Sequence, residues 1–306
     1  MMMRTLLATC ILLGTAVSLW AQEGSLTPVE VRSLPSPMIE ETYLPSYYFN
    51  LDFAVVQPRL TNPSMDGGPA FSSNVDWTLS PRFEFGTLNR GAWNPYIGYR
   101  GLYSDSNQQA YEPFTDTLFS FYRSTELHAV DFGVQSEVFP LLSVIRARWD
   151  LSARLTVSDF QDFYGFDFVS FDPSYIDVRW RQQFIGAGPR AGLRMELPWA
   201  DTGLSLSGLV DAGIQWGSYR ARATIESVID GEFDYDEAQR SEGGIVWHTG
   251  AQLALRYAPP QYCDRLSFSA GYLYETWFFK DLAVMEGSGS QQFDYHGPFF
   301  RMEWKY

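Results

Sequence analysis

The chain has 306 residues, 45% of them hydrophobic, and a formal net charge of −14. A charged fraction of 19% beside 17% aromatics excludes a disordered acidic tail, and the acidity argues against nucleic acid, whose binding rests on cationic contacts to phosphate. The 10 Trp, 18 Tyr and 23 Phe are more rings than an acidic soluble protein of this length needs, so a large apolar phase is expected against them.

Met1 to Arg4 form a short basic start, Thr5 to Trp20 an apolar run, and Ala21 a small residue at a cleavage position. This predicts a signal peptide over 1–21, because a run of about 16 residues is short of the roughly 20 needed for a membrane-spanning helix. Its removal leaves Cys263 alone, so no intramolecular disulfide is expected. Residues 22–46 hold Pro28, Pro35, Pro37 and Pro45 without an apolar period and read as a periplasmic tail or linker ahead of a barrel domain at 47–306.

From Tyr47 the apolar period is two, the signature of β-strands. Residues 47–57 put Tyr47, Phe49, Leu51, Phe53 and Val55 on one face; 74–86 do the same with Val75, Trp77, Leu79, Phe83 and Phe85. Segments 92–104 and 118–138 are less regular. In 143–158 the apolar set is Ile145, Ala147, Trp149, Leu151, Ala153, Leu155 and Val157. Segment 175–197 changes phase near Phe184 and Ile185, where a bulge is expected. Strands at 203–222, 244–258 and 266–280 follow, and the last alternates Phe300, Met302, Trp304 and Tyr306 with Phe299, Arg301, Glu303 and Lys305.

No Asp, Glu, Lys or Arg falls on the apolar face of the regular strands. A hydrocarbon-facing surface must be kept this way, since a midplane Arg or Lys costs roughly 2–4 kcal/mol. A soluble sandwich also keeps one face uncharged, so three further features decide the direction. Strands of about 11 to 16 residues, tilted by roughly 40°, match a bilayer's apolar band. Connections alternate between short (87–91, 139–142, 198–202, 259–265) and long (58–73, 105–117, 159–174, 223–243, 281–293). The chain ends on an aromatic, so Phe300, Met302, Trp304 and Tyr306 resemble the C-terminal signal read by the barrel assembly machinery. The expectation is an all-β, antiparallel transmembrane barrel of about ten strands in the outer membrane. It has short periplasmic turns, long acidic outer loops and both termini periplasmic, with outer-membrane lipid and lipopolysaccharide as its surroundings.

The stretch FIGAGPRAGL from Phe184, the strand GLSLSGLVDAG from Gly203, GYLYETWF from Gly271 and FDYHGPFFRMEWKY from Phe293 resemble the Legionella major outer membrane protein-like family. The resemblance lies mainly in residues 175–306 and implies an outer-membrane barrel with pore activity; it carries over no catalytic residue.

The polar faces supply Arg82, Arg146, Arg148, Arg154, Asp150, Arg190, Arg194, Asp211, Arg256, Glu275 and Arg301 as candidate pore-lining residues, together with Asp52, Glu84, Asp131, Glu196 and Glu303. Fixed charges of this kind select ions or small polar solutes. The competing arrangement has the same charges paired across a narrow lumen, giving a non-conducting structural or surface-interaction barrel. Eight-stranded barrels are filled by side chains and wide channels need about 16 strands, so the count alone leaves both open, and the leading expectation is a narrow porin-like pore for ions or small polar solutes. The outer segments carry Asp159, Asp162, Asp167, Asp172, Glu226, Asp230, Glu232, Asp234, Asp236, Glu237 and Glu242, read as a solvated face without calcium-loop spacing. Asp294 and His296 are the one acid–base pair, and strand parity points them outward. No hydrolase, phosphate-loop or metal motif is present, and no enzyme activity, cofactor or metal is expected.

Overall fold

The computed structural model describes residues 46–61, 76–88, 92–142, 144–168, 174–199, 202–259, 265–282 and 288–306. The expected signal peptide, nearly all of the proline-containing tail, and Asp172 lie outside the described residues.

The alternating segments form strands β1 (Ser46–Thr61), β2 (Thr78–Leu88), β3 (Trp93–Glu112), β4 (Thr117–Ser136), β5 (Phe139–Leu142) and β6 (Ile145–Phe168). They continue as β7 (Ser174–Trp199), β8 (Leu204–Ile229), β9 (Glu232–Tyr257), β10 (Leu266–Leu282) and β11 (Ser288–Lys305). Short β5 continues the line of β4, both pairing with β6, so the wall has ten staves. Every strand pairs antiparallel with its neighbours, β1 pairs with β11, and β4 pairs with β6, which closes the sheet into a barrel with no free edge. The first and last strands meet at one mouth, where Tyr47 N donates to Tyr306 O at 2.8 Å and Tyr306 N donates to Tyr47 O at 2.9 Å.

Burial gives the direction that periodicity leaves open. The apolar faces are the exposed ones: Phe53, Val55, Phe83, Phe85, Leu151, Leu155, Leu253 and Phe300 all lie on the outside. The polar faces are enclosed, with Arg154, Asp150 and Gln215 fully buried. This is the inside-out pattern of a barrel in lipid rather than of a sandwich in water. Exposed tryptophans form two girdles: Trp93, Trp149, Trp199 and Trp304 near the terminus-bearing mouth, and Trp77, Trp216 and Trp247 at the other limit of the apolar band. On β9 the outward apolar run from Tyr257 to Ile245 climbs roughly 30 Å at 3.3 Å per residue and a tilt near 40°.

Above that band the staves continue. The segments expected as long loops at 105–117, 159–174 and 223–243 are largely strand. The longest, 223–243, reduces to a two-residue turn at Asp230 and Gly231, whose φ values of 54° and 81° suit a tight hairpin. Polarity inverts at the same height. On β7 the outward residues change from Ile185, Ala187 and Leu193 to Gln183, Arg181 and Arg179, while the inward ones change from Arg194 and Arg190 to Phe184 and Trp180. The phase change at Phe184 and Ile185 is therefore this inversion and not a bulge, since β7 pairs with β6 without a register shift from Glu196 to Ser174.

The ladder breaks instead at two Gly-Pro pairs. Between β7 and β8 no pairing joins Gly188 and Pro189 to Ile214 and Gln215. Between β11 and β1 none joins Gly297 and Pro298 to Val55 and Val56. Proline cannot donate to the ladder, and the glycine lets the neighbouring backbone close in: a Cβ would lie 1.9 Å from Ile214 O at Gly188 and 1.9 Å from Val55 O at Gly297.

Candidate functional site in the lumen

Strand parity turns all eleven candidate pore-lining residues inward, and the barrel brings nine of them into direct ion pairs. At the centre, Arg154 Nε and Nη2 donate to Asp131 Oδ1 and Oδ2 at 2.7 and 2.8 Å. Arg190 bridges Asp211 at 2.5 Å and Asp150 at 3.3 Å. Arg194 joins Asp150 at 3.1 Å to Glu84. Glu275 receives Arg82 at 2.9 Å and also Arg100 and the Tyr295 hydroxyl. Toward the terminus-bearing mouth Arg301 grips Asp52 with two bonds of 2.7 and 2.6 Å, and Arg256 spans Glu196 at 3.0 Å and Glu303 at 3.5 Å. Arg146 and Arg148 make no ion pair among the described residues and stand at that mouth on β6.

These pairs link staves across the lumen as well as along the wall. Glu84 on β2 meets Arg194 on β7, and Glu275 on β10 meets Arg100 on β3. A gap of about 50 Å3 among Asp52, Arg82, Glu84, Arg100, Arg194 and Arg301 has room for one or two waters.

Above the charged layer, the inverted polarity fills the barrel with rings. His248 stacks on Trp277 at 4.8 Å, and Arg154 lies over the same indole at 5.7 Å. Arg154 Nη1 lies 2.8 Å from His248 Nε2, and the Gln215 amide nitrogen lies 3.0 Å from His248 Nδ1, so both ring nitrogens have partners. Phe160 packs edge-on against Phe279 at 5.0 Å and Phe293 at 5.4 Å, while Phe184 contacts Tyr219 at 4.7 Å. Leu127, Leu273 and Val246 complete the layer, all at most 1% exposed. Arg123 closes it with a bidentate pair to Asp162 at 2.7 and 2.8 Å.

The sequence reading overlooked Arg100 and Arg123, on strands it took as irregular, and it placed Asp162 on a solvated face although its side chain is fully enclosed. The other acids of the tall end divide by parity. Asp159 holds Arg181, and Glu237 accepts from Arg222 at 2.9 Å, which keeps its carboxyl below the ordinary range. Asp177 moves the other way, raised by burial and by Asp167 and Glu226 nearby, with Arg179 opposing. Asp294 and His296 face outward and have separate partners: Asp294 accepts from Gln292 at 2.8 Å, and His296 Nδ1 meets the Tyr272 hydroxyl. Phe300, Trp304 and Tyr306 lie exposed on the outer wall.

The model of a family described as Legionella pneumophila major outer membrane protein precursor matches residues 147–306, just over half of the chain. The chain belongs to that family. Membership and the barrel together locate it in the bacterial outer membrane. The family match runs from β6 to the C-terminus and so includes Asp150, Arg154, Arg190, Arg194, Asp211, Arg256, Glu275 and Arg301, the larger part of the lumenal charge. No curated protein matches. Among solved structures, the outer membrane protease OmpT from Escherichia coli aligns at 6% identity over 85% of this chain and 97% of its own, with a TM-score of 0.46. A major outer membrane protein from Thermus thermophilus aligns at 13% identity over 85% and 99%, with a TM-score of 0.31. The toluene transporter TodX of Pseudomonas putida aligns at 8% over 85% and 89%, with a TM-score of 0.31.

Proposed function

We propose that this family member is a structural or surface-interaction barrel of the outer membrane whose lumen is closed to solutes, with the two termini periplasmic and the tall hairpins outside. The observation that carries the reading is the filled cross-section: a layer of cross-lumen ion pairs lies beneath a layer in which Trp277, Phe160, Phe184, Tyr219 and Phe293 are at most 1% exposed. A path for ions would have to part both layers at once. Removing one member of a buried pair strands the other charge at a cost of about 3–5 kcal/mol. The barrel has no catalytic role in this reading, and its rim and outer wall are the surfaces it offers to envelope partners.

A narrow pore, as the family resemblance implies, is the second reading, favoured by the inward direction of all eleven charged candidates. Solute efflux separates the two. Liposomes loaded with a small sugar and reconstituted with the protein retain it if the lumen is closed. Efflux in proportion to protein content supports the pore.

A further inference from the structure

Directly above the apolar band, the outward face of β7 and β8 changes from Ile185 and Trp216 to Arg179 and Arg181 on one strand and Arg220 and Arg222 on the next, all four exposed. Arg181 and Arg222 are register partners, and Gln183 is the partner of Arg220. Like charges set directly opposite on neighbouring strands are destabilising, and here each guanidinium has one carboxylate of a neighbouring strand beside it. Asp159 occupies two donors of Arg181, and Glu237 one of Arg222. Each guanidinium has five N–H donors, so both keep free ones. Arg220 makes no ion pair among the described residues. A groove of about 470 Å3 runs over this patch; Tyr122, Phe163 and Tyr235 line it beside Arg179, Arg181 and Arg222, and Asp162, Asp177 and Glu226 line it as well.

We propose that this groove binds the phosphorylated sugar headgroup of an outer-leaflet glycolipid, with Arg181 and Arg222 sharing a phosphate and the aromatic side chains lying against the sugar. Height selects this occupant over a soluble anion. A lipid whose acyl chains run beside Val157, Ile185 and Trp216 places its headgroup at the arginine rows one and two steps higher on the same staves. Arginine suits the phosphate because its planar fork makes paired, charge-assisted hydrogen bonds. The inference rests on the proposed orientation, in which the tall hairpins lie outside, and not on whether the lumen conducts.

The test uses the full chain refolded in detergent, a bisphosphorylated glucosamine-disaccharide lipid, its dephosphorylated form, and inorganic phosphate as competitor. Binding is read by native mass spectrometry. Wild type retains the phosphorylated lipid, and Arg181→Gln with Arg222→Gln weakens retention at least about tenfold, the loss expected for strong paired contacts. Unchanged electrophoretic mobility of the folded form shows that the variant keeps its barrel; if it does not, Arg179→Gln alone, which lines the groove and makes no ion pair among the described residues, carries the same prediction with a smaller loss. Equal retention by the variants, equal retention of the dephosphorylated lipid, or displacement by millimolar inorganic phosphate would overturn the proposal. Orientation is tested separately with a membrane-impermeant maleimide on whole cells carrying Asp230→Cys in a Cys263→Ser background. Labelling places the tall end outside, and protection from it refutes the orientation while leaving binding in detergent to be judged by itself.

Discussion

Arg154 shows how a charge can be kept at the centre of a barrel. Its guanidinium has no exposed surface, and Asp131, His248 and the face of Trp277 surround it. Desolvating such a group is offset only when its hydrogen bonds are satisfied, and a bidentate carboxylate does this best. Arg154→Met should therefore cost about 3–5 kcal/mol in urea unfolding of the reconstituted barrel, because Asp131 is left buried without its main partner. Adding Asp131→Asn should recover part of the loss by removing the stranded charge. If Arg154→Met unfolds at the wild-type urea concentration, the pair is not holding the wall. At this scale the sequence was informative about direction and silent about pairing. Parity identified the inward charges, but that Glu84 would reach Arg194 across the lumen depends on the closure of the barrel, which period-two alternation does not encode.

The strands were legible wherever they touch lipid. There, alternation has both halves, apolar outside and polar inside, and the regular segments from 47–57 onward emerge as staves. Once a stave leaves the membrane its outward face becomes polar, the inward face fills with rings, and the pattern inverts or fades. Loops were read at 159–174 and 223–243 for that reason, although Asp230-Gly231 between Ile229 and Phe233 is a strong hairpin signal. The bulge read at Phe184 has the same origin. Besides a register shift between Pro140 and Leu142 on short β5, the interruptions are the Gly-Pro pairs, and they give an element-scale prediction. Gly188→Ala and Gly297→Ala each drive a methyl into a backbone carbonyl and should destabilise the barrel by about 1–3 kcal/mol, the usual cost of overpacking. Gly243→Ala, whose methyl would meet only Gly217 O at 3.8 Å, serves as the control and should be close to neutral. Thermal unfolding of the three variants in one detergent decides it, and equal midpoints would remove the Gly-Pro pairs from the account of the wall.

For the whole molecule, the charge of −14 and the abundance of rings have a common explanation. The band in lipid is an inside-out protein, with aromatic girdles outside and paired charges within. The extension above it is an ordinary one, with rings inside and acids and arginines outside. Where the two meet, the inward aromatic layer lies over the ion-pair layer, and the proposed closure of the lumen rests on that junction. Single-channel recording tests closure most directly. Purified full-length protein in a planar bilayer should give no conductance steps in molar salt, and a variant with Trp277→Ala, Phe160→Ala and Phe293→Ala should conduct more than wild type. Regular, uniform steps from the unmodified protein would contradict a closed lumen.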